Sequence, residues 1–216
     1  MANTPPLASD DVNALEAALS PLETVPIDAV LGAAKGATPF VLCDGWAGLV
    51  RTMASGKRQI VALFLPGDVV GLDTATAPLG AGEIVALSAV RLRRLSAQGR
   101  ALVALRPQLV KALAAHNLQH QARLQDQVFR IGVLAALGRV AHLLGELDTR
   151  LKLAAGDDRS LVPVTQAVLG QVLGISLVHV NRTLQVLASQ RLAWLDRNRL
   201  VVPDDKALEA VWQSAV

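Results

Sequence analysis

Between Pro163 and Gln185 the chain reads Pro163-Val164-Thr165-Gln166-Ala167-Val168-Leu169-Gly170-Gln171-Val172-Leu173-Gly174-Ile175-Ser176-Leu177-Val178-His179-Val180-Asn181-Arg182-Thr183-Leu184-Gln185. Thr165 is an N-cap residue type, because its hydroxyl can accept a hydrogen bond from an unsatisfied amide of the first helical turn. Val168, Leu169 and Val172 follow at helical spacing and form an apolar face. Gly174 stops that helix, since glycine adopts the left-handed conformation of a helix end without steric cost. Ser176 caps a second helix, whose buried positions would be Val180, Leu184 and Leu187. Two short helices joined by a tight glycine turn fit a helix-turn-helix, whose second helix lies in a DNA major groove. Thr165 and Gln166 would open the first helix at the DNA. Ser176, Leu177, Val178, His179, Asn181, Arg182 and Gln185 would lie on the outward side of the second. Arginine pairs bidentately with guanine, asparagine and glutamine pair with adenine, and an apolar side chain can touch a thymine methyl. An ordinary helical hairpin with a solvated polar face fits the same spacing equally well.

Working outward, Ala154 to Ser160 contains Gly156-Asp157-Asp158 and reads as a polar linker. Trp194 to Val202 reads as a hairpin turning at Arg197-Asn198, with Arg197 and Arg199 placed for phosphates. Upstream, a long helical stretch starts at Pro107, a residue suited to a first helical position. Leu109, Leu113, Leu124, Val128, Ile131 and Leu134 form one stripe, interrupted by Asn117 and His120. A polar break in such a seam can fix the register of paired helices. The expected dimer interface is therefore Leu113, Asn117, His120, Leu124, Val128, Ile131 and Leu134. Gly132 and Gly138 mark a kink into a second helix ending near Lys152.

The N-terminal half is punctuated differently. Asp10 is the expected cap of a short helix through Leu19, ended by Pro21. From Thr38 to Ser96, short runs at 40–42, 46–53, 58–65, 84–87 and 90–95 are separated by Asp44-Gly45, Ser55-Gly56, Pro66-Gly67-Asp68 and Gly80-Ala81-Gly82. Such punctuation predicts a small β-barrel or roll. The expected fold class is α+β, with domains at 1–106, 107–152 and 153–216.

Composition bounds the possibilities. At 216 residues and 52% hydrophobic, the chain can build a sizeable core. The apolar run from Ile60 to Leu72 is broken by Pro66-Gly67-Asp68, no secretory leader is visible, and a cytoplasmic protein is expected. The single cysteine, Cys43, excludes an internal disulfide framework and a cluster held by several thiolates of one chain. It is expected as a small buried hydrophobe, and Phe40 and Trp46 as core. His116, His120, His142 and His179 form no recognisable metal-ligand set with it, and His116 and His120 read as ordinary helix polar residues. A net charge of +3 permits nucleic acid as a partner without demanding it. No nucleophile–base–orienter set is apparent, so neither catalytic residues, a metal nor a cofactor is expected.

Gly174 to Gln185 closely resembles the recognition region of the CRP/FNR superfamily of bacterial regulators, where a Gly-x-Ser-x-x-x-Val-x-Arg-x-Leu pattern recurs. Asp44-Gly45-Trp46-Ala47, Gly56-Lys57-Arg58-Gln59-Ile60 and Leu65-Pro66-Gly67-Asp68-Val69-Val70-Gly71-Leu72 resemble that family's β-roll signature, in order. Gly138-Arg139-Val140-Ala141-His142-Leu143-Leu144 resembles the end of its dimerisation helix. The resemblance implies a cyclic-nucleotide-binding-like jelly roll, a long dimerisation helix and a winged helix-turn-helix. The implied function is that of a homodimeric transcription regulator bound to double-stranded DNA, with RNA polymerase a further candidate partner and no membrane partner.

Departures from the family pattern narrow that reading. Members that bind cyclic AMP carry a Gly-Glu followed downstream by Arg-Ser or Arg-Thr. Here Gly71-Leu72-Asp73 is followed by no arginine or lysine before Arg91, so an anionic phosphate would lack its main charge-assisted contact. The chain resembles the FixK-like branch, whose members often lack an obvious ligand. Gating by an unidentified small molecule in the roll is the alternative. Leu177 stands where many relatives have arginine, and Val178 where many have glutamate, which leaves the target sequence open.

Overall fold

The computed structural model describes residues 7–33, 38–72, 82–155, 165–197 and 199–214. Gly80-Ala81 of one expected turn, linker residues 156–160, and Asn198 at the hairpin tip lie outside them. The chain divides into two compact units, one of 1–51 with 62–124, the other of 52–61 with 125–216.

The first unit opens with α1 (Ser9–Ala18). Its N-cap position is Ala8, which makes no side-chain cap, so Asp10 is not the cap that was expected. The helix starts earlier, and Asp10 and Asp11 instead place negative charge in its first turn, where the helix dipole favours it. Among the described residues eight strands follow: β1 (Glu23–Val25), β2 (Val30–Ala33), β3 (Phe40–Asp44), β4 (Ala47–Thr52), β5 (Arg58–Phe64), β6 (Val69–Val70), β7 (Glu83–Ala86) and β8 (Val90–Arg94). They form two four-stranded sheets, ordered β1-β8-β3-β6 and β2-β7-β4-β5. Both sheets contribute to one core, with Phe40, Leu42, Val70 and Leu92 from the first and Leu31, Ala47, Phe64, Ile84 and Ala86 from the second. This is the expected roll. Gly45, at φ 75°, makes its turn possible, because a Cβ there would stand 2.1 Å from the Ala89 carbonyl oxygen.

Phe40 and Trp46 are buried as expected, but Cys43 is exposed. Side chains alternate along a strand, so burying Phe40 and Leu42 turns Cys43 outward. After β8 the chain forms α2 (Ala97–Ala104), capped by Ser96, whose Oγ accepts from the Gly99 amide at 2.9 Å. Then comes α3 (Pro107–Val133), a single helix of 27 residues.

The first part of α3 is tied to its own unit by polar groups as well as by apolar packing. Leu109 is buried with Ala14, Ala18, Leu95 and Val103, and Leu113 packs against that cluster. His116 Nε2 accepts from the Val69 amide at 3.0 Å. The His120 ring stacks on Phe64, with centroids 5.4 Å apart. Arg123 pairs with Asp68 at 3.3 Å, and Asp68 also accepts from the Leu65 amide at 2.9 Å.

The second unit holds the rest of α3, then α4 (Ala136–Ala155), α5 (Gln166–Leu173), α6 (Leu177–Ser189), the hairpin β9 (Trp194–Asp196) and β10 (Arg199–Val201), and α7 (Asp205–Ser214). The kink expected between Gly132 and Gly138 is the break between α3 and α4, where Arg139 Nε donates to the Leu134 carbonyl at 2.7 Å. Its apolar interior includes Leu143, Leu144 and Leu147 of α4, Leu169 and Leu173 of α5, Val180 and Leu187 of α6, and Leu208 of α7. No helix among the described residues is long and apolar enough to cross a membrane.

Candidate nucleic-acid interface

The two helices of the decisive stretch begin and end as their cap residues dictate. Thr165 Oγ1 accepts from the Val168 amide at 3.2 Å and starts α5. Gly174 closes it in the left-handed conformation, at φ 66° and ψ 28°, with its amide bonded to the Gly170 carbonyl. Ser176 Oγ accepts from the His179 amide at 3.3 Å and starts α6. Val180, Thr183 and Leu187 form the buried side of α6. The Thr183 hydroxyl is satisfied by the His179 carbonyl at 2.8 Å, a bond that lets a polar residue occupy a core position.

Opposite that buried side stand Val178, Arg182 and Gln185, at spacings of four and three residues, all exposed. Leu177 and His179 are exposed beside them, while Asn181 is half-buried. The Asn181 side-chain amide donates to Gln166 Oε1 at 3.1 Å, which ties α6 to the first turn of α5. Gln166 and Asn181 are thus brought together, and Thr165 lies exposed just before them.

In the hairpin, Arg199 is opposite Asp196 and Leu200 opposite Leu195. Burying Leu200 sends Arg199 outward, and Arg197 is exposed at the turn with φ 47°. Among the described residues the ion pairs of this unit involve Arg130, Arg150 and Lys152, and not Arg182, Arg197 or Arg199. The outward side of α6 and the hairpin therefore present cations, amides and apolar groups suited to DNA.

Behind this surface lies a polar framework that the sequence pattern did not reveal. The last carbonyls of a helix have no intrahelical partner. At the end of α5 the Val172 carbonyl accepts from Gln127 Nε2 at 2.6 Å and from Gln59 Nε2 at 2.9 Å. Arg130, only 1% exposed, donates to Gln127 Oε1 and Glu146 Oε2, each at 2.5 Å, and contacts His142 Nδ1 at 3.0 Å. Trp212 meets the His142 ring edge-on at 4.7 Å. Burial, and then the Arg130 guanidinium, hold His142 below its ordinary pKa, against the opposing pull of Asp126 and Glu146. Asp148, 2% exposed as a residue, sits 2.5 Å from Lys152 Nζ, which also reaches Asp205 at 3.0 Å. Burial raises the Asp148 pKa in spite of that lysine. None of these residues carries a local motif; the only available signal was the polar residue recurring every three or four places within an apolar helix.

The residues expected at the dimer seam divide in two. Leu113 and His120 make the contacts within the first unit described above, and Leu134 is buried. Asn117, Leu124 and Ile131 are half-buried, and Val128 is 74% exposed.

Residues 138–211 match the family described as the Crp-like helix-turn-helix domain. The nitrogen fixation regulation protein FixK of Azorhizobium caulinodans is 29% identical over 173 residues, which is 78% of this chain and 68% of that protein. The transcriptional activatory protein AadR of Rhodopseudomonas palustris is 24% identical over 174 residues, 80% of this chain and 72% of AadR. Among solved structures, FixK2 of Bradyrhizobium japonicum superposes with a TM-score of 0.73 at 25% identity, covering 92% of this chain and 99% of FixK2. With the expected β-roll, long helix and capped helix pair all in place, the chain is a DNA-binding transcription regulator whose residues 138–211 form a Crp-like helix-turn-helix domain and which is similar, over most of its length, to FixK-like regulators of the CRP/FNR family.

Proposed function

We propose that this regulator works as a homodimer on a two-fold-symmetric duplex site, with α6 of each copy in a major groove. The observation that carries the reading is the outward side of α6, where Arg182 stands between Val178 and Gln185. Arg182 would read a guanine, Gln185 an adenine, and His179 would lie at the groove wall. Thr165, Gln166 and Ser176 sit at helix starts, where backbone amides favour phosphate oxygens. Arg197 and Arg199 would hold phosphates from the hairpin.

Dimerisation is supported by α3. Four of the expected seam residues, Asn117, Leu124, Val128 and Ile131, follow one another at steps of seven, four and three, the period of paired helices. Val110, one heptad before Asn117 on the same line, is 46% exposed, and Leu118 beside that line is 65% exposed. Large apolar side chains exposed along one helix fit a second copy of that helix.

The chain would have no enzymatic activity, would act in the cytoplasm where its DNA is, and would meet RNA polymerase at the promoters it controls. Cyclic nucleotides would not gate it. The three arginines of β8 are engaged by carboxylates, Arg91 by Asp44, Arg93 by Glu16 and Arg94 by Glu23. Any effector would be a different small molecule.

Selection of bound duplexes from a random pool, with sedimentation of the same protein, tests the reading. A symmetric site with half-sites about one helical turn apart, bound by a dimer, is expected. Arg182→Ala should cost about 1–3 kcal/mol and relax one base pair per half-site. Arg199→Ala should weaken all duplexes alike and reduce the salt dependence by about one contact per subunit. A monomer at micromolar concentration, or an Arg182→Ala variant with unchanged base preference, overturns it.

A further inference from the structure

The outward side of α6 begins with an apolar turn. Val178 is 79% exposed and Leu177 54% exposed, in a helix whose other large apolar side chains are wholly or partly covered. Nothing in the fold calls for a valine at position 178, because the core positions of α6 are Val180, Thr183 and Leu187. Val178 stands one helical turn before Arg182 on the same side.

We infer that Val178 selects a thymine in each half-site, by packing against its C5 methyl group. The inference rests on α6 being the groove helix. In the major groove thymine alone among the four bases presents a methyl group beside its hydrogen-bonding atoms. A valine can neither donate nor accept. Set against a cytosine amino group or a guanine carbonyl, it would strip water from that group and return no hydrogen bond. Set against a methyl, it removes apolar surface from water on both sides. Discrimination therefore has two sources, a gain at thymine and a loss at the other bases.

The geometry also places the base. One helical turn advances about 5.4 Å and one base step about 3.4 Å, so the thymine should lie roughly one to two base pairs from the guanine contacted by Arg182. Asn181 does not compete for it, since its amide already donates to Gln166 Oε1 at 3.1 Å. Leu177 flanks Val178 and extends the apolar patch toward the N-terminus of α6.

Deoxyuridine substitution isolates the methyl, because uracil keeps every hydrogen-bonding atom of thymine and lacks only that group. The full-length protein is first used to select its site from random duplex DNA. Duplexes carrying deoxyuridine at each thymine of the half-site, one position at a time, are then compared by titration. Removing the methyl contact at one position should weaken binding about fourfold, and roughly fifteenfold when both half-sites are changed. Val178→Ala should bind with little difference between the thymine and uracil duplexes. Val178→Glu, which brings a hydrogen-bond acceptor, should shift the selected base at that position toward cytosine. Both substitutions are at an exposed site and leave the core of α6 untouched. If a specific site is selected but no uracil position weakens binding, or if the uracil effect survives in Val178→Ala, the inference is wrong while the groove helix stands. If no specific site is selected, both fall together.

Discussion

α6 and the middle of α3 are amphipathic helices of similar make-up that employ their polar residues in opposite ways. In α6 most residues that look outward in the sequence are outward: Val178, Arg182 and Gln185 are exposed, while Asn181 is half-buried and the buried line is Val180, Thr183 and Leu187, with the expected Leu184 only half-buried. In α3 the polar residues His116, His120, Arg123, Gln127 and Arg130 turn inward to meet partners far away in the chain. Apolar Val128 and Val133 remain exposed instead. The difference teaches that a short helix bounded by its own caps can be read locally. A long helix shared among several neighbours is defined by groups its own sequence does not contain.

The sharpest test of this contrast is Arg130. Arg130→Ala removes a buried cation and leaves Glu146 and His142 without its hydrogen bonds. A loss near 3 kcal/mol in chemical denaturation is expected, at the lower end for a broken buried pair because Glu146 retains Arg150 at 3.1 Å. A cost below about 0.5 kcal/mol, the level of an ordinary surface change, would mean that α3 is no more interior than α6.

Next in size is the shared carbonyl of Val172. Gln59→Leu alone should cost about 0.5–1.5 kcal/mol, since Gln127 stays bonded to the carbonyl, and Gln127→Leu should cost more, since it also removes the Oε1 that accepts from the buried Arg130. Together they leave a buried acceptor unpaired, so the double variant should lose more than the sum of the two. Strict additivity in a double-mutant cycle would show that the two amides do not share a task.

On the locally determined side, Ser176→Ala should cost about 1 kcal/mol of stability, the usual worth of an N-cap. Circular dichroism and thermal unfolding should show a small loss and an intact fold. A much larger cost would place α6 with α3 among the elements held by remote partners.

The smallest effect is a pH dependence. His142 has a folded pKa below its ordinary value near 6.5, so the unfolded chain binds a proton more readily. Its contribution is fully present above that value and is lost as pH falls from about 6.5 toward the folded pKa. The denaturation midpoint should decline between pH 7.5 and 6, and His142→Gln should flatten that decline. A decline of equal slope in the variant would assign it to another group.

The same contrast explains what could be read in advance. Thr165, Gly174 and Ser176 act on amides and carbonyls within a few residues, and all three were legible. Of the six roll strands from Phe40 onward, β3, β4, β5, β7 and β8 were legible because turn residues separate them, and the two-residue β6 was not. β1 and β2 were missed: three or four residues with little alternation carry no period, and their pairing with β8 and β7 is long-range. Asp10 misled because a capping residue type occurs just inside the first turn as readily as before it. Cys43 misled because burial in a strand depends on which neighbours face the core. Leu113 and His120 lie on the stripe that a paired helix would use, and only the folded roll shows the contacts they make within their own chain.

The segment 52–61 carries Gln59 to the end of α5, although 113 residues separate Gln59 from Val172. The second unit is therefore assembled from discontinuous pieces of chain. No single cut yields it whole: a fragment beginning at residue 125 would contain both helices of the DNA reader and lack one of the two amides that close the first. During synthesis the 52–61 segment emerges long before α5 exists, so it must wait until the last third of the protein has been made. Dissection by truncation would thus measure a crippled reader, and grafting this reader elsewhere would need a substitute for that borrowed amide.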